Sequence, residues 1–303
     1  MKNIPLTIED PMRKKPRMKK NGYRNSLQEE TGLISRLFFR LILFLFAVLS
    51  IAPLVWVTLS SFKTTQEFQM NRLWLPARWF FKNYPMAWEI GNMGTLIVNS
   101  VIYTTVSTLA VIVLSVAAAF AFAKIKSKAT PILYGSFVIG ILLTIQSIMV
   151  PLFLMANTVH LLDTRLGVLI PYTGLGLPIG IYLCTEFIKG IHDSIIESAR
   201  IDGAGYFQIL ARIVFPMSKP VISTLAILNV LSVWNEFMMI NILVSREALK
   251  SLPVGIMKFS SALSSDYGKQ FAALVIGLLP LLLFYLAFRN KITEGVSAGA
   301  VKG

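Results

Sequence analysis

The chain has 303 residues, of which 55% are hydrophobic and only 15% charged; an ordinary soluble domain carries roughly 25% charged residues, so the composition argues against a water-soluble globule and for a chain dissolved in lipid. Its formal net charge of +14 does not indicate nucleic acid. The basic excess crowds the N-terminal tail, where Tyr23 is the one ring among Arg13, Lys14, Lys15, Arg17, Lys19, Lys20 and Arg24, and no nucleic-acid module is recognisable.

Residues 1–35 read as a basic cytoplasmic tail beside a first apolar span, as the positive-inside rule requires. That span starts too late and runs too long for a signal-peptide core. Six segments are long and apolar enough to cross a bilayer as helices: about Leu37–Leu59, Leu96–Ala123, Ile132–Met155, Val168–Phe187, Val221–Val244 and Phe271–Phe288. The expectation is an all-α membrane protein of six transmembrane helices, with a permease domain over 36–290 and a C-terminal tail over 291–303. An even number of spans places both termini on one side. With that side inside, 20 of the 29 Lys and Arg residues fall on it, counting Arg40 near the inner end of the first span.

The outside loop after the first span, Ser61–Gly94, carries Trp74, Trp79, Phe80, Phe81, Tyr84 and Trp88. These rings suit an interfacial belt or a contact surface for an external partner. Pro151, Pro171, Pro178 and Pro280 lie in or near spans, with Gly174, Gly176 and Gly180 around Pro178. Read from sequence, they break the helices at moving or substrate-lining segments, or the small residues serve close helix packing. The single cysteine, Cys184, excludes a disulfide within the chain and reads as a small buried apolar residue.

Residues 190–220, between the fourth and fifth spans, are too polar to cross a membrane. Ser194 and Glu197 form a capping-box pattern that predicts a helix start. Gly203 can end that helix in a left-handed turn. Tyr206, Phe207, Leu210 and Val214 then recur at helical spacing, and Pro216 ends the second helix or bends it into the fifth span. The prediction is a helix–turn–helix on the inner face of the membrane.

This segment resembles the EAA loop of ABC importer permeases, the inner-membrane components of binding-protein-dependent transport systems. The residues that carry the resemblance are Glu197, Ser198, Ala199, Asp202, Gly203, Ala204, Ile213 and Pro216, with Ser198 and Phe215 as mild departures. Ser61-Phe-Lys-Thr64, Trp234-Asn-Glu-Phe237 and Gly295–Gly303 are similar to the carbohydrate branch, near the maltose-type subunit that lacks a large periplasmic insertion.

The resemblance implies a type I ABC importer permease architecture, in which the first short helix of the loop docks on a cytoplasmic ATPase. Glu197, Ser198, Ala199, Asp202, Gly203, Ala204 and Phe207 would form this coupling loop, with Ala199 and Gly203 permitting close approach. The implied partners are a second permease subunit, two ATPase subunits and an extracytoplasmic solute-binding protein, in a bacterial cell membrane. ATP and Mg would be used by the ATPases and none bound by this chain, which lacks a G-x-x-x-x-G-K-[ST] loop.

No enzymatic constellation is recognisable. His160 and His192 stand far apart without Cys partners, so no metal site is expected. Asn99, Asn229, Asn235 and Glu236 fall in or near spans. They are candidates for a wet translocation path, or for helix–helix hydrogen bonding. The rival functions are an ABC permease for a peptide or amino acid, and a stand-alone transporter driven by protons or sodium with Glu236 as its coupling residue.

Overall fold

The computed structural model describes residues 33–125, 127–259 and 266–300, with side chains described between Leu37 and Phe288. All regular structure among the described residues is helical. That is the outcome lipid imposes on an apolar chain, because each backbone N–H and C=O must find its partner within its own segment. Most of the basic tail and the end of Gly295–Gly303 lie outside the described residues.

Contacts divide the chain into two units, 1–55 and 56–303. Helix α1 (Leu33–Ser60) exposes every side chain from Leu37 to Val55. Beyond it come α2 (Thr65–Met70), α3 (Asn83–Ile90) and α4 (Met93–Lys124). Then follow α5 (Thr130–Gly140), α6 (Ile145–Thr158), α7 (Arg165–Lys189) and α8 (Asp193–Ile201). The chain continues through α9 (Tyr206–Met217), α10 (Lys219–Asn235), α11 (Met238–Leu243), α12 (Leu252–Ile256) and α13 (Tyr267–Ala300). Because α13 runs on to Ala300, no break marks the expected start of a tail at 291.

Among the described residues, four helices are long and apolar enough to cross a membrane, and the number reaches six if two sharply bent pairs each count as one span. The expected third span, Ile132–Met155, is one of the bent pairs. It folds as α5 and α6, bent by 104°. Gly140 sits under the Pro178 ring, and Thr144 is extended, with its hydroxyl 2.8 Å from Ser147 Oγ. A polar Thr144-Ile-Gln-Ser147 stretch inside the apolar run thus starts a new helix. The second bent pair is α9 with α10, at 75°, and the expected fifth span, Val221–Val244, is not one continuous helix. Helix α10 stops at Asn235, Glu236 is extended, and α11 carries the chain to Leu243.

The prolines do not break their helices, contrary to expectation: α7 runs unbroken through Pro171 and Pro178, α6 through Pro151 and α13 through Pro280. A proline ring clashes with the carbonyl four residues back. In α7 both of those residues are glycines, Gly167 and Gly174, but α6 and α13 pass Pro151 and Pro280 with Ser147 and Ile276 in that place, so glycine is not what permits the passage.

Helices α4 and α7 form the centre. Gly176 and Gly180 face α4 so closely that a Cβ on either would lie 2.6 Å from Val111 or 2.3 Å from Ser115. Small residues at four-residue spacing let two backbones approach in this way. At one end of this pair, Val111, Val116, Phe120, Cys184 and Ile188 pack with Ile196, Ile209 and Val214. Toward the other end, Met93 and Leu96 pack with Leu252, Ile256 and Ala272.

The Ser61-Phe-Lys-Thr64 stretch is a hydrogen-bonded knot. The Asn83 amide donates to both Ser61 O and Lys63 O at 2.8 Å, and Lys63 Nζ donates to Asn71 O at 2.9 Å. Burial pushes the Lys63 ammonium below its usual value, against the pull of Glu67. The Phe62 ring gathers Trp79, Phe81 and Tyr84 within 5.1–5.4 Å. Trp74, Trp79, Phe81 and Trp88 all remain exposed.

Candidate functional site

The helix–turn–helix between α7 and α10 forms as expected in outline, with two corrections of detail. Helix α8 begins at Asp193, and no side chain caps it, so the Ser194–Glu197 capping box does not form. Instead Asp193 lies in the first turn, where a carboxylate complements the helix dipole, and pairs with Lys124 at 2.6 Å. Helix α8 ends in a left-handed turn at Gly203, φ +83°. Ala204 N–H donates to Ala199 O at 2.9 Å and Gly203 N–H to Arg200 O at 3.1 Å. This is the paired closure of a Schellman motif, which satisfies the last carbonyls and fixes the direction of the chain.

The second correction concerns which residues face inward. Ile209 and Val214 are fully buried, while Tyr206 and Phe207 point outward. A wide π-helical turn over Leu210–Val214 shifts the helical phase. Of the expected coupling residues, Glu197, Ser198, Asp202, Gly203 and Phe207 are exposed. Ala199 is buried against the chain's own core, and Ala204 packs beside it. The elbow therefore has an inward face of Ile196, Ala199, Ala204 and Ile209, and an outward face with two carboxylates. That outward face also carries Ile201 (86% exposed) and Phe207 (80% exposed). Exposed apolar residues rimmed by charge mark an interaction surface. Sequence reasoning missed Ile201, although its place opposite Ile196 and Ala199 on a short helix could have shown it.

The four polar candidates within the spans separate into three places. Asn99 is fully buried, donating to Ala248 O at 2.8 Å and Lys250 O at 3.0 Å and accepting from Arg165 at 3.3 Å. Asn235 is exposed, bonds back to Leu231 O, and lines a cavity of about 380 Å³ with Trp234, Phe237 and Gln270. Asn229 and Glu236 come together. They share a cavity of about 110 Å³ with Tyr172 and Ser232.

Within this small cavity, Asn229 donates to Thr108 Oγ1 at 2.8 Å, and its Oδ1 lies against Gly176. Glu236 accepts from the Tyr172 hydroxyl at 2.7 Å and from Met239 N–H at 2.8 Å. Its carboxylate thus closes the first turn of α11 and satisfies groups that the helix break would otherwise orphan. Tyr172 and Ser232 were missed because an apolar run containing one tyrosine or serine carries no periodic signal.

Residues 111–292 match the family model described as "Binding-protein-dependent transport system inner membrane component". The chain belongs to this family. It is a multi-pass membrane permease of such a transport system. A putative ABC transporter permease protein of a Caldicellulosiruptor species is 34% identical over 83% of this chain and 91% of its own length. The diacetylchitobiose uptake system permease NgcG of Streptomyces coelicolor is 32% identical over 86% of this chain and 87% of its own. For the starch degradation products permease AmyC of Thermoanaerobacterium thermosulfurigenes the figures are 33%, 86% and 96%. Among solved structures, a chain of a bacterial ABC transporter involved in alginate import superposes with a TM-score of 0.76 at 23% identity, covering 85% of this chain and 96% of that one. The permease fold, with four to six spans among the described residues, is therefore that of the ABC importers.

Proposed function

We propose that this permease imports a carbohydrate, a mono- or oligosaccharide, as half of the translocation pathway of an ATP-driven transporter. The substrate class rests on relatives named for diacetylchitobiose and for starch degradation products, both matched over most of their length. In this reading both termini are cytoplasmic, so the α8–α9 elbow lies beneath the bilayer. A second permease completes the pathway, two ATPase subunits use ATP and Mg, and an extracytoplasmic binding protein delivers the sugar. The chain itself catalyses no reaction.

The observation that carries the coupling role is the two-faced elbow. Its inner face, Ile196 and Ile209 among others, is part of the membrane domain's core, so a push on the elbow moves helices. Its outer face offers Glu197, Ser198, Ile201, Asp202, Gly203 and Phe207 to a partner. Ile201 and Phe207 supply apolar contact, and Glu197 and Asp202 meet basic or amide groups of an ATPase cleft. Ala199 and Ala204 hold the elbow to the chain rather than to the ATPase. ATP shifts the permease between inward-facing and outward-facing states to the extent that the closed ATPase dimer binds one elbow position better than the other.

Tyr172, Asn229, Ser232 and Glu236 line the proposed path, where hydroxyl and carboxylate groups can exchange hydrogen bonds with a polyhydroxyl substrate. The test is reconstitution with the second permease, ATPase and binding protein, using labelled maltooligosaccharides, chitobiose and peptides. Saccharide uptake that requires ATP is the expected result. Uptake by the isolated chain, or uptake of peptides alone, would overturn the reading.

A further inference from the structure

Helix α4 is fastened at both ends by side chains whose partners lie far apart in sequence. At its C-terminal end, Lys124 Nζ donates to Ile191 O and to Asp193 Oδ1, both at 2.6 Å, with the lysine side chain only 7% exposed. These acceptors are the entry to α8. Toward its N-terminal end, two successive turns of α4 hold the segment 248–252. Asn99 donates to Ala248 O and Lys250 O, Tyr103 Oη to Leu249 O at 2.8 Å, and Leu252 N–H to Ser100 Oγ at 2.9 Å. Gly255 seats α12 directly on Leu96, where a Cβ would lie 2.0 Å from Leu96 Cδ1. Between these fastenings runs one unbroken helix of 32 residues, roughly 48 Å long at 1.5 Å per residue.

We infer that α4 is the rod that carries displacement between the elbow and the 248–252 segment at the far end of the membrane domain, and that Lys124 is the positioning residue that locks the elbow to it. Apolar packing alone cannot do this. Contacts among Phe120, Ile188, Ile196 and Ile209 are non-directional and allow α8 to rotate or slide. Two charge-assisted hydrogen bonds from a nearly buried ammonium are directional; the one to Ile191 O is shielded with the lysine, while the Asp193 side chain is 70% exposed, so solvent screens that pair. They fix the azimuth of α8 on α4. Coupling between distant sites is carried by an element that both sites bias, and rigid secondary elements are among those that can serve. The inference rests on the proposed coupling role of the elbow.

The complete transporter, purified through a tag on this chain and reconstituted in liposomes, is examined by hydrogen exchange with and without Mg-ATP. In the wild type, ATP changes exchange both at 193–205 and at 244–255. Lys124→Gln keeps the change at 193–205 and reduces that at 244–255 by about tenfold, within the usual range of coupling between sites. Lys124→Arg, which keeps the charge, recovers it. Asn99→Leu cuts the link at the other end and produces the same split. The inference is overturned if Lys124→Gln transmits the change as the wild type does. It is overturned too if Lys124→Gln and Lys124→Arg both lose the ATPase altogether, which would make Lys124 a docking residue. If ATP leaves 193–205 of the wild type unchanged, the proposed coupling role fails first, and the rod with it.

Discussion

The Tyr172 hydroxyl donates to Glu236 Oε2 across 2.7 Å, joining the middle of α7 to the break between α10 and α11. The same carboxylate accepts the Met239 N–H, so Glu236 has a structural task that does not depend on an ion. Glu236→Gln keeps a carbonyl oxygen for the cap and is expected to retain uptake and ATPase stimulation. Glu236→Ala removes it, at a cost of about 1 kcal/mol for a lost cap, and lowers uptake while ATPase stimulation persists. Uptake and ATP hydrolysis measured on the same proteoliposomes separate the two variants. Equal loss in both would restore ion coupling as an explanation.

Gly203 sits at φ +83°, and a Cβ built there meets no atom within 4 Å. Its requirement within the chain is therefore conformational, not steric. Left-handed backbone costs an ordinary L-residue about 1–2 kcal/mol, and asparagine tolerates it best. Gly203→Asn is expected to keep coupling, whereas Gly203→Val uncouples ATP hydrolysis from uptake with normal protein levels in the membrane. If Asn and Val fail alike, the glycine is needed for close approach to the ATPase and the turn is not what matters.

The elbow was legible in sequence because Gly203 is punctuation, a left-handed turn, and because Glu197 and Pro216 mark its two helices, although α9 runs through Pro216 and bends only at Ser218. Its facing was not. The π-helical turn over Leu210–Val214 leaves no compositional trace, and it brings Val214, five residues on, to the same inward face as Ile209. Ala199 looked like a contact residue because small residues permit close approach, yet the close approach is to the chain's own core. Apolar length located the spans well but could not see that Thr144 would restart a helix or that Glu236 would hold one open. Asn99 and Glu236 look alike to hydropathy. Only tertiary partners distinguish a residue that pins the 248–252 segment from one that lines a cavity.

Asp163 has a left-handed backbone, and its carboxylate accepts Arg246 N–H at 2.9 Å and Ser245 N–H at 2.6 Å. The Arg246 N–H chiefly, with Ser245 and nearby positive charge, holds the carboxyl below its usual 3.8. A depressed folded-state value means that the stabilisation is fully present above the unfolded value and is lost as pH falls through the folded one. Asp163→Asn is therefore expected to be less thermostable than wild type at pH 7, with the gap closing only below about pH 4. Thermal unfolding of the detergent-solubilised chain across pH 3–7 reads this out. A gap that closes between pH 5 and 7 would point to a different titrating group.

Three glycines of α7 provide an internal comparison. A Cβ on Gly180 would lie 2.3 Å from Ser115 Oγ and 3.1 Å from Ser115 Cβ, and one on Gly176 would lie 2.6 Å from both Asn229 Oδ1 and Val111 Cγ2, whereas Gly174 has nothing within 4 Å. Alanine is a better helix former than glycine by about 1 kcal/mol, so Gly174→Ala is expected to be neutral or stabilising. At Gly176 and Gly180 the same change forces α4 and α7 apart. Overpacking of this kind costs about 1–3 kcal/mol, which exceeds the helical gain. Melting temperatures should therefore rank Gly174→Ala above both others. The Gly176 variant carries a second signature, because displacing Asn229 disturbs the cavity shared with Tyr172 and Glu236. Its uptake is expected to fall further than its stability, while Gly180→Ala loses both together. A Gly174→Ala variant as damaged as the other two would mean that this face of α7 packs against another subunit.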